Sequence, residues 1–506
     1  MRLYNTASRS VEEIVPFSQG KIGLYACGFT VYDYTHLGHL RTYTFNDVLV
    51  KTLRARGFEV KFVQNITDVG HLSSDADEGE DKLEKGAKKY GKDVWQIARE
   101  FEEYFWYSMS LIGAIKPDIS CRATDHIEAQ LELVKTLERQ GFTYVIEGDG
   151  VYFDTSTFPE YGKMAGFDIA SLRAGARVDL AAGKRNVTDF ALWKFERAGE
   201  QRAMVWPSPW AERSFPGWHI ECSAMAMEYL GEQFEIHTGG IDHIPVHHTN
   251  EIAQSEAATG KKPFAKYWVH HNHLHIDGQK MSKSLGNFFT VDDVLARGFH
   301  PRALRLLFLT SHYRDEQNFT WASLAGAQKQ FEKLVNQLAS LRNETDRTVL
   351  SPEKLEKVDT YRERFYAALE NDLATPEAIT ILQEVLKSNI PGSDKYDLVL
   401  EFDEILGLGL RTSGAQSVIT PALLREKGEP DEKKIELTLA TPALAIDDPA
   451  IPEEVRALLQ QRQTARANQQ WTESDRLRDE ISKLGWQVQD LPNGQQNISK
   501  NGKVVT

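Results

Sequence analysis

The sequence predicts an α/β protein: a Rossmann-like parallel-sheet domain with an inserted subdomain, followed by a helical bundle and a small C-terminal α+β domain. Three observations carry that prediction. An apolar run, KIGLYAC, leads into a helix-periodic stretch and then into a second strand-like run, EVKFVQNIT, which together read as a βαβ unit. Short strands and turns then intervene, and α/β character returns near residue 215. Beyond that, residues 322–410 are almost wholly helix-periodic.

Each element follows in order. Residues 35–56 place Phe45, Val48, Leu49 and Leu53 at helical spacing, and Gly57 separates that helix from EVKFVQNIT. A parallel sheet begun this way binds ligands at the carboxyl ends of its strands. The charged, glycine-punctuated stretch 71–90 reads as a surface loop, and helices are predicted over 91–111 and 125–140. Turn-rich short strands such as TYVIEGDGVYFD, within 141–205, suit an inserted antiparallel subdomain. FEIHTGGID and YWVHHNHLHID restore strand and loop, and LAGAQKQFEKLVNQLASL and PEAITILQEVLK begin the bundle. Residues 411–452 are acidic, proline-containing and weakly periodic, a linker by composition. One helix is predicted around 453–484, then a hairpin turning at Pro492, Asn493 and Gly494. The boundaries so drawn are 1–111 and 206–270 for the two halves of the parallel-sheet domain, with 112–205 inserted. There follow 271–321 as a connecting region, 322–410 as the bundle, 411–452 as the linker and 453–506 as the C-terminal domain.

Composition narrows the class. At 506 residues the chain exceeds one ordinary core, so two to four domains are expected. A hydrophobic content of 41% and a charged content of 26% are those of a soluble globular protein, and no run approaches the roughly 18 apolar residues of a membrane span. MRLYNTASRSVEEI has no apolar signal core, which predicts a cytoplasmic protein without a membrane partner. Cys27, Cys121 and Cys222 are too few for a disulfide framework and leave metal or catalytic roles open. The net charge of -14 does not by itself exclude nucleic acid, because backbone binding needs only a local basic surface.

Two motifs carry chemistry. In THLGHL, His36 and His39 share one face of the first turn of a helix, where free backbone N–H groups and the helix dipole favour an anion; Gly38 leaves the backbone open to a flat ring. In GQKMSKSLGN, Lys280 and Lys283 bracket Met281 and Ser282 in a glycine-flanked loop. Such lysines can follow charge as it moves onto a leaving pyrophosphate.

Together, YACGFTVYDYTHLGHLR, PGWHIECSAM, HTGGIDHIPVHHTNEIAQSEA and KMSKSLGN resemble the cysteinyl-tRNA synthetases of class I, over most of residues 1–325 and again over 451–490. The resemblance implies an aminoacyl-tRNA synthetase that activates L-cysteine with ATP and Mg²⁺ and transfers it to the 3′ end of tRNA(Cys), acting as a monomer. It makes Cys27, Cys222, His247 and Glu251 zinc ligands, one ion per chain. The residue types agree, since two sulfurs, an imidazole and a carboxylate form a tetrahedral zinc set and His247 and Glu251 stand at i, i+4. A soft metal would reward thiolate over hydroxyl, where an apolar pocket separates close isosteres by only about 10 to 200-fold. Cys121 matches no ligand position and reads as a buried inert thiol, and His248 falls one step off the face shared by His247 and Glu251. By resemblance, Thr30, Thr67, Trp218 and His219 belong to the amino-acid pocket. Gly239, Gly240 and Asp242 lie at its adenosine end, with Gly38 and Lys283 also on the nucleotide. Phe29 stands where the family usually has proline.

The C-terminal third separates two relatives of this chemistry. Ligases that pass activated cysteine to an amino sugar lack an anticodon module. Here EVRALLQQRQTARANQQWTESDRLRDEISKLGWQVQD places Arg462 and Arg466 on one helical face, with Trp471, Arg476 and Arg478 nearby, a cation-and-aromatic set suited to single-stranded RNA. A non-catalytic RNA-binding paralogue is the other alternative; it would tolerate loss of a ligand or of a signature lysine, and all are present.

Overall fold

The computed structural model describes residues 1–70, 81–167, 183–197, 199–282, 285–342, 349–411, 452–467, 470–490 and 496–500. Its centre is a five-stranded parallel sheet in the order β11-β10-β3-β4-β5, made of β3 (Lys21–Thr30), β4 (Glu59–Thr67), β5 (Ile119–Arg122), β10 (Phe234–Gly240) and β11 (Ala265–His271). The chain runs outward from β3 through β4 to β5, then returns to build β10 and β11 on the other side of β3. The direction of winding therefore reverses between β3 and β10, and a crevice for ligand opens at the carboxyl ends of these two strands.

Helix α1 (Leu37–Ala55) makes the β3-to-β4 crossover, with Phe45, Val48, Leu49 and Leu53 all fully buried against the sheet. A hairpin of β1 (Arg2–Asn5) and β2 (Ser10–Glu13) closes the outer edge of β11: Thr6 N donates to Trp268 O at 2.9 Å, and Asn5 reaches both Lys266 O and Trp268 N. Sequence periodicity did not reveal this hairpin, whose strands are four residues each.

The stretch expected as a loop over 71–90 holds α2 (Lys82–Tyr90). Its signals are terminal rather than periodic. Asp81 accepts from the N–H groups of Leu83 and Glu84, Gly91 closes the helix at φ 64°, and Leu83 and Ala87 are buried. Residues 71–80 lie outside the described residues. Helices α3 (Val94–Ile112) and α4 (Ile127–Arg139) follow. An antiparallel sheet of β6 (Thr143–Ile146), β7 (Gly150–Phe153), β8 (Phe190–Phe195) and β9 (Ser214–Pro216) is then inserted before the chain re-enters the parallel sheet through α5 (Trp218–Leu230).

After β11, the short strands β12 (Leu274–Ile276) and β13 (Gln279–Lys280) form a hairpin, and β14 (Gln317–Phe319) pairs with β12 in parallel. Helices over Trp321–Arg342, Pro352–Glu370, Thr375–Lys387 and Gly392–Leu406 form the bundle, with Phe365 stacked on Phe402 at 3.8 Å, and they belong to the same compact unit, Met1–Gly409. Two arginines bind bundle to sheet. Arg302 and Arg305 donate to the terminal carbonyls of the last bundle helix, Gly407 O and Leu406 O, and to Ile112 O at the end of α3, while Arg305 pairs with buried Asp47 of α1.

The second unit, Leu410–Thr506, is small. The single helix expected at 453–484 is two, Glu453–Ala467 and Trp471–Lys483, because Val455, Leu459, Ile481 and Trp486 converge on one core that a continuous rod could not close. Strands Trp486–Asp490 and Gln496–Lys500 pair antiparallel; the predicted turn residues 492–494 and the linker over 412–451 lie outside the described residues. No helix among the described residues is long and apolar enough to cross a membrane.

Candidate active site

The site is built at the switch point, and an irregularity in β3 begins it. The β3–β4 register shifts between Ala26 and Phe29, so that Cys27 and Gly28 together oppose Asn65. The bulge re-aims the Cys27 side chain into the crevice. It needs glycine at 28, since a Cβ there would fall inside the Asn65 carbonyl, and Asn65 Oδ1 fixes Gly28 N at 2.7 Å. A glycine interrupting an apolar strand is the sequence signal of such a bulge, and the sequence reading passed over both Gly28 and Asn65.

Opposite Cys27, α5 presents Cys222, and a single π-helical turn, Ile244–His248, leads into α6 (Thr249–Thr259) with His247 and Glu251. All four side chains are buried, and their ligand atoms lie within 4.8 Å of one another. His247 Nε2 stands 2.9 Å from Glu251 Oε1. A second grouping, Cys27, His237, His248 and Glu251, meets the same distance limit. The first is the better metal set, because the remaining residues then stand behind its ligands and orient them. His237 Nε2 holds the other Glu251 oxygen at 2.9 Å, and His219 Nδ1 meets His247 Nδ1 at 2.9 Å. His248 Nε2 lies 3.2 Å from Cys27 Sγ and passes the hydrogen bond to His270 at 2.7 Å and on to Thr6 at 2.7 Å.

The electrostatics suit a cation. Burial opposes a charge on Glu251, yet His237 and His247 hold its carboxyl well below the usual range. Burial likewise opposes charge on His247, but Glu251 and Cys222 lift it to about 10. The two thiols are pushed in opposite directions: a hydrogen bond from Cys27 lowers Cys222 to about 7, against burial, while burial pushes Cys27 up. The pocket thus gathers two thiols, an imidazole and a carboxylate, donors of the soft and borderline kinds that tetrahedral zinc takes. Cys121 is buried too, its thiol pushed up to about 12 by burial, and stands in neither grouping.

The signature histidines lie at the start of α1. His36 caps the helix: its Nδ1 accepts from Gly38 N at 3.1 Å and His39 N at 3.4 Å, and His39 Nδ1 accepts from His36 N at 3.3 Å. Leu37 N donates to Phe289 O. The free backbone N–H groups expected here are therefore occupied, which leaves only the imidazoles to offer a donor to an anion. With each Nδ1 accepting, the proton sits on Nε2 and both rings are neutral donors. Burial pushes His36 down to about 4 and His39 well below its ordinary value, consistent with two rings stacked at 3.5 Å. Phe29, stacked on Phe105, meets His39 edge-on at 4.8 Å, and Phe288 meets His36 at 5.2 Å. Gly38 lies under the His36 ring, its would-be Cβ 3.0 Å from that ring and 3.9 Å from Met281.

Other predicted positions distribute around this centre. Thr30 ends β3, and Thr67 ends β4, buried and accepting from Asn65 at 3.0 Å. The Trp218 ring lies 4.8 Å from the His247 ring. His219 is buried, its ring held against His247. Gly239 and Gly240 end β10; a Cβ on Gly239 would strike His248 and His243. Asp242 is exposed at the rim, and Lys280 is exposed on β13. Lys283 lies outside the described residues.

Arg41 was not foreseen. It is 1% exposed, one turn beyond the histidines, and donates to Gln317 Oε1 (3.1 Å), Asn272 O (2.6 Å), His312 O (2.9 Å) and Asp315 O (2.8 Å). Those acceptors flank β12 and β14, so one side chain ties the histidine helix to the small sheet that bears Lys280. No periodicity distinguishes such an arginine from a surface one.

In the second unit the expectation for Arg462 fails. Its side chain is fully buried, with Nε donating to Ser474 O at 3.2 Å, so it joins the two helices instead of facing solvent. Arg476 and Arg478 are exposed and paired with Glu473, Glu480 and Asp475. Arg466 and Trp471 fall within the two helices, their side chains outside the description.

Residues 13–329 match the family model for the class I (C) tRNA synthetase catalytic domain, and 448–497 that for the cysteinyl-tRNA ligase anticodon binding domain. The chain is 45% identical to Cysteine--tRNA ligase 1 of Burkholderia lata, over 98% of its own length and 96% of the relative's. It is 41% identical to Cysteine--tRNA ligase of Treponema denticola, over 97% and 98%. Among solved structures, the methionyl-tRNA synthetase of Mycobacterium tuberculosis bound by methionyl-adenylate superposes with a TM-score of 0.53 at 15% identity, covering 79% of this chain and 91% of that one, a likeness of fold.

Proposed function

From the premise that this chain belongs to the cysteine–tRNA ligase family of class I synthetases, and so charges tRNA with cysteine, we propose how its residues divide that work. The substrates are L-cysteine, ATP with Mg²⁺, and tRNA(Cys), and the enzyme is a cytoplasmic monomer with one centre per chain. The observation that carries the proposal is the buried quartet Cys27, Cys222, His247 and Glu251 at the switch point, beside the His36–His39 pair.

Zinc held by the quartet would supply a soft Lewis acid that prefers the thiol of cysteine to the hydroxyl of serine. The protein then has to hold the carboxylate and the α-phosphate in line, since little of the phosphoryl chemistry is covalent work for side chains. As the carboxylate oxygen bonds to the α-phosphorus, the bond to the β-phosphate bridging oxygen breaks and pyrophosphate leaves. His36 and His39 donate Nε2–H to phosphate oxygens as charge shifts. Being neutral, they stabilise the developing charge without trapping the ground state. Lys280 and Lys283 meet the departing pyrophosphate. Thr30, Thr67 and Trp218 shape the amino-acid pocket, and Gly38, Gly239, Gly240 and Asp242 the nucleotide side. In the second step a hydroxyl of the terminal ribose attacks the adenylate carbonyl and AMP leaves. The match to an anticodon domain speaks against the amino-sugar ligase, and the full set of signature residues against a non-catalytic paralogue.

The test is cysteine-dependent ATP–pyrophosphate exchange, with serine as control and zinc counted by elemental analysis. Wild type should exchange with cysteine only and carry about one zinc per chain. Cys222→Ser should lose both. Exchange without zinc, or equal use of serine, would overturn the assignment of the quartet.

A further inference from the structure

The turn between the bundle helices Pro352–Glu370 and Thr375–Lys387 holds two consecutive non-glycine residues in the left-handed region, Asp372 at φ 58° and Leu373 at φ 52°. Leucine rarely takes that conformation, and it persists only where the surroundings over-determine it. Those surroundings centre on the buried Asp372. Its Oδ1 accepts from Tyr4 N at 2.8 Å and from the Tyr313 hydroxyl at 2.5 Å, and its Oδ2 from Arg314 Nε at 2.8 Å and Nη2 at 2.6 Å. The Asp372 backbone is held as well: its N–H donates to Arg2 O at 3.0 Å, and its carbonyl accepts from His312 Nε2 at 2.7 Å. Arg314 N donates to His312 Nδ1 at 3.3 Å, which leaves the ring proton on Nε2, where the Asp372 carbonyl needs it. Three of these partners are consecutive. His312, Tyr313 and Arg314, between the helix Pro301–Leu309 and β14, give their side chains to Asp372, and the carbonyls of residues 312–315 go to α1 and to Asn272 just past β11. His312 O and Asp315 O accept from Arg41, Tyr313 O accepts from Asn272 N at 2.9 Å, and Arg314 O from Asn272 Nδ2 at 2.8 Å. Arg41 closes the set by donating to Asn272 O. Residues 312–315 are thus a bridge, with side chains on the bundle turn and carbonyls on the arginine two residues past His39.

We propose that Asp372 is a positioning residue for the first step of the reaction: by fixing residues 312–315 it sets Arg41, and with Arg41 the start of α1, where His36 and His39 meet the phosphates of ATP. The proposal rests on the reading of those two histidines as phosphate donors, and it gives the bundle a part in nucleotide activation. A different path also leaves Asp372, through Tyr4 and the β1–β2 hairpin to Thr6, His270, His248 and Cys27. The two paths predict different losses. The bridge to Arg41 bears on ATP, the hairpin on zinc and cysteine.

The experiment measures cysteine-dependent ATP–pyrophosphate exchange, with zinc counted, for the full-length enzyme and for Asp372→Asn, Arg41→Lys and the two combined. Asparagine also takes the left-handed region, but its one amide oxygen can serve Tyr4 and Tyr313 or Arg314, not both sides. The expected result for Asp372→Asn is kcat/KM for ATP lowered by roughly 10 to 100-fold, the scale on which displacing a reacting group counts, with zinc content unchanged and the KM for cysteine within twofold of wild type. The double variant should lose less than the product of the two single losses, by about threefold or more, as residues acting through one contact do. Tyr313→Phe, which removes a single donor, should repeat the split at smaller size and serves in place of Asp372→Asn if that variant is too unstable to assay. Single losses that simply multiply, or exchange within twofold of wild type, would overturn the proposal. A fall in zinc content, or a KM for cysteine that rises in step with that for ATP, would overturn it too, by assigning the effect to the hairpin or to general stability. Exchange within twofold of wild type in His39→Asn would instead sink the reading of the histidines on which the proposal rests.

Discussion

At the scale of single residues, the site depends on groups whose chemistry is set by one neighbour each. His36 caps α1, and that task decides the part proposed for it on phosphate, because an Nδ1 that accepts backbone N–H leaves its proton on Nε2. Gly28 is as constrained. Gly28→Ala should destabilise the fold by about 1–3 kcal/mol, the usual cost of forcing an extra carbon into packed surroundings, and should lower zinc content with it. Urea unfolding and elemental analysis check both; a stable, fully zinc-loaded variant would mean that the bulge does not aim Cys27. The quartet that comes together in the structure was legible in the sequence, because cysteine, histidine and glutamate at an i, i+4 step advertise their chemistry. Asn65 and His237 were not, since a polar residue that holds another residue in place leaves no spacing to read.

At the scale of elements, helix α1 and the sheet bearing Lys280 are separate pieces of chain joined by Arg41. Lysine in its place keeps the charge but offers one ammonium where a planar fork reached four acceptors on two segments. Each acceptor left unsatisfied in the interior costs about 1–3 kcal/mol. Arg41→Lys should therefore lower the urea midpoint and slow pyrophosphate exchange, raising the KM for ATP while that for cysteine, whose pocket is proposed on β3, β4 and α5, stays within twofold. A parallel rise in both would make Arg41 a general stabiliser. Strand and helix assignments were readable where periodicity was long, as in α1 and β4. They failed at α2, nine residues defined by its caps, and at the break between the two C-terminal helices, which only convergence on Trp486 explains.

At the scale of the whole molecule, burial of neutral histidines ties stability to pH. His36, His271 and His300 are each pushed by burial down to about 4, from an ordinary value near 6.5. The unfolded chain takes up their protons first, so their contribution is complete above pH 6.5 and is lost as pH falls toward 4, by up to about 2 kcal/mol each at pH 5. Chemical denaturation should accordingly give a lower midpoint at pH 5 than at pH 7. His300→Asn, which keeps a capping side chain at the helix of residues 301–309, should flatten part of that slope; an unchanged slope would place the lost protons elsewhere. The β1–β2 hairpin adds a consequence in time. Its partners are Trp268 on β11 and Asp372 in the bundle, whose carboxylate accepts from Tyr4 N at 2.8 Å. A ribosome adding about 5–20 residues per second makes the hairpin long before either partner, so its first residues wait roughly 20–75 s for Asp372 to be made. The beginning of the chain is thus among the last parts to find its place, and what it waits for, bare and adhesive, is a task for chaperones as much as for the fold.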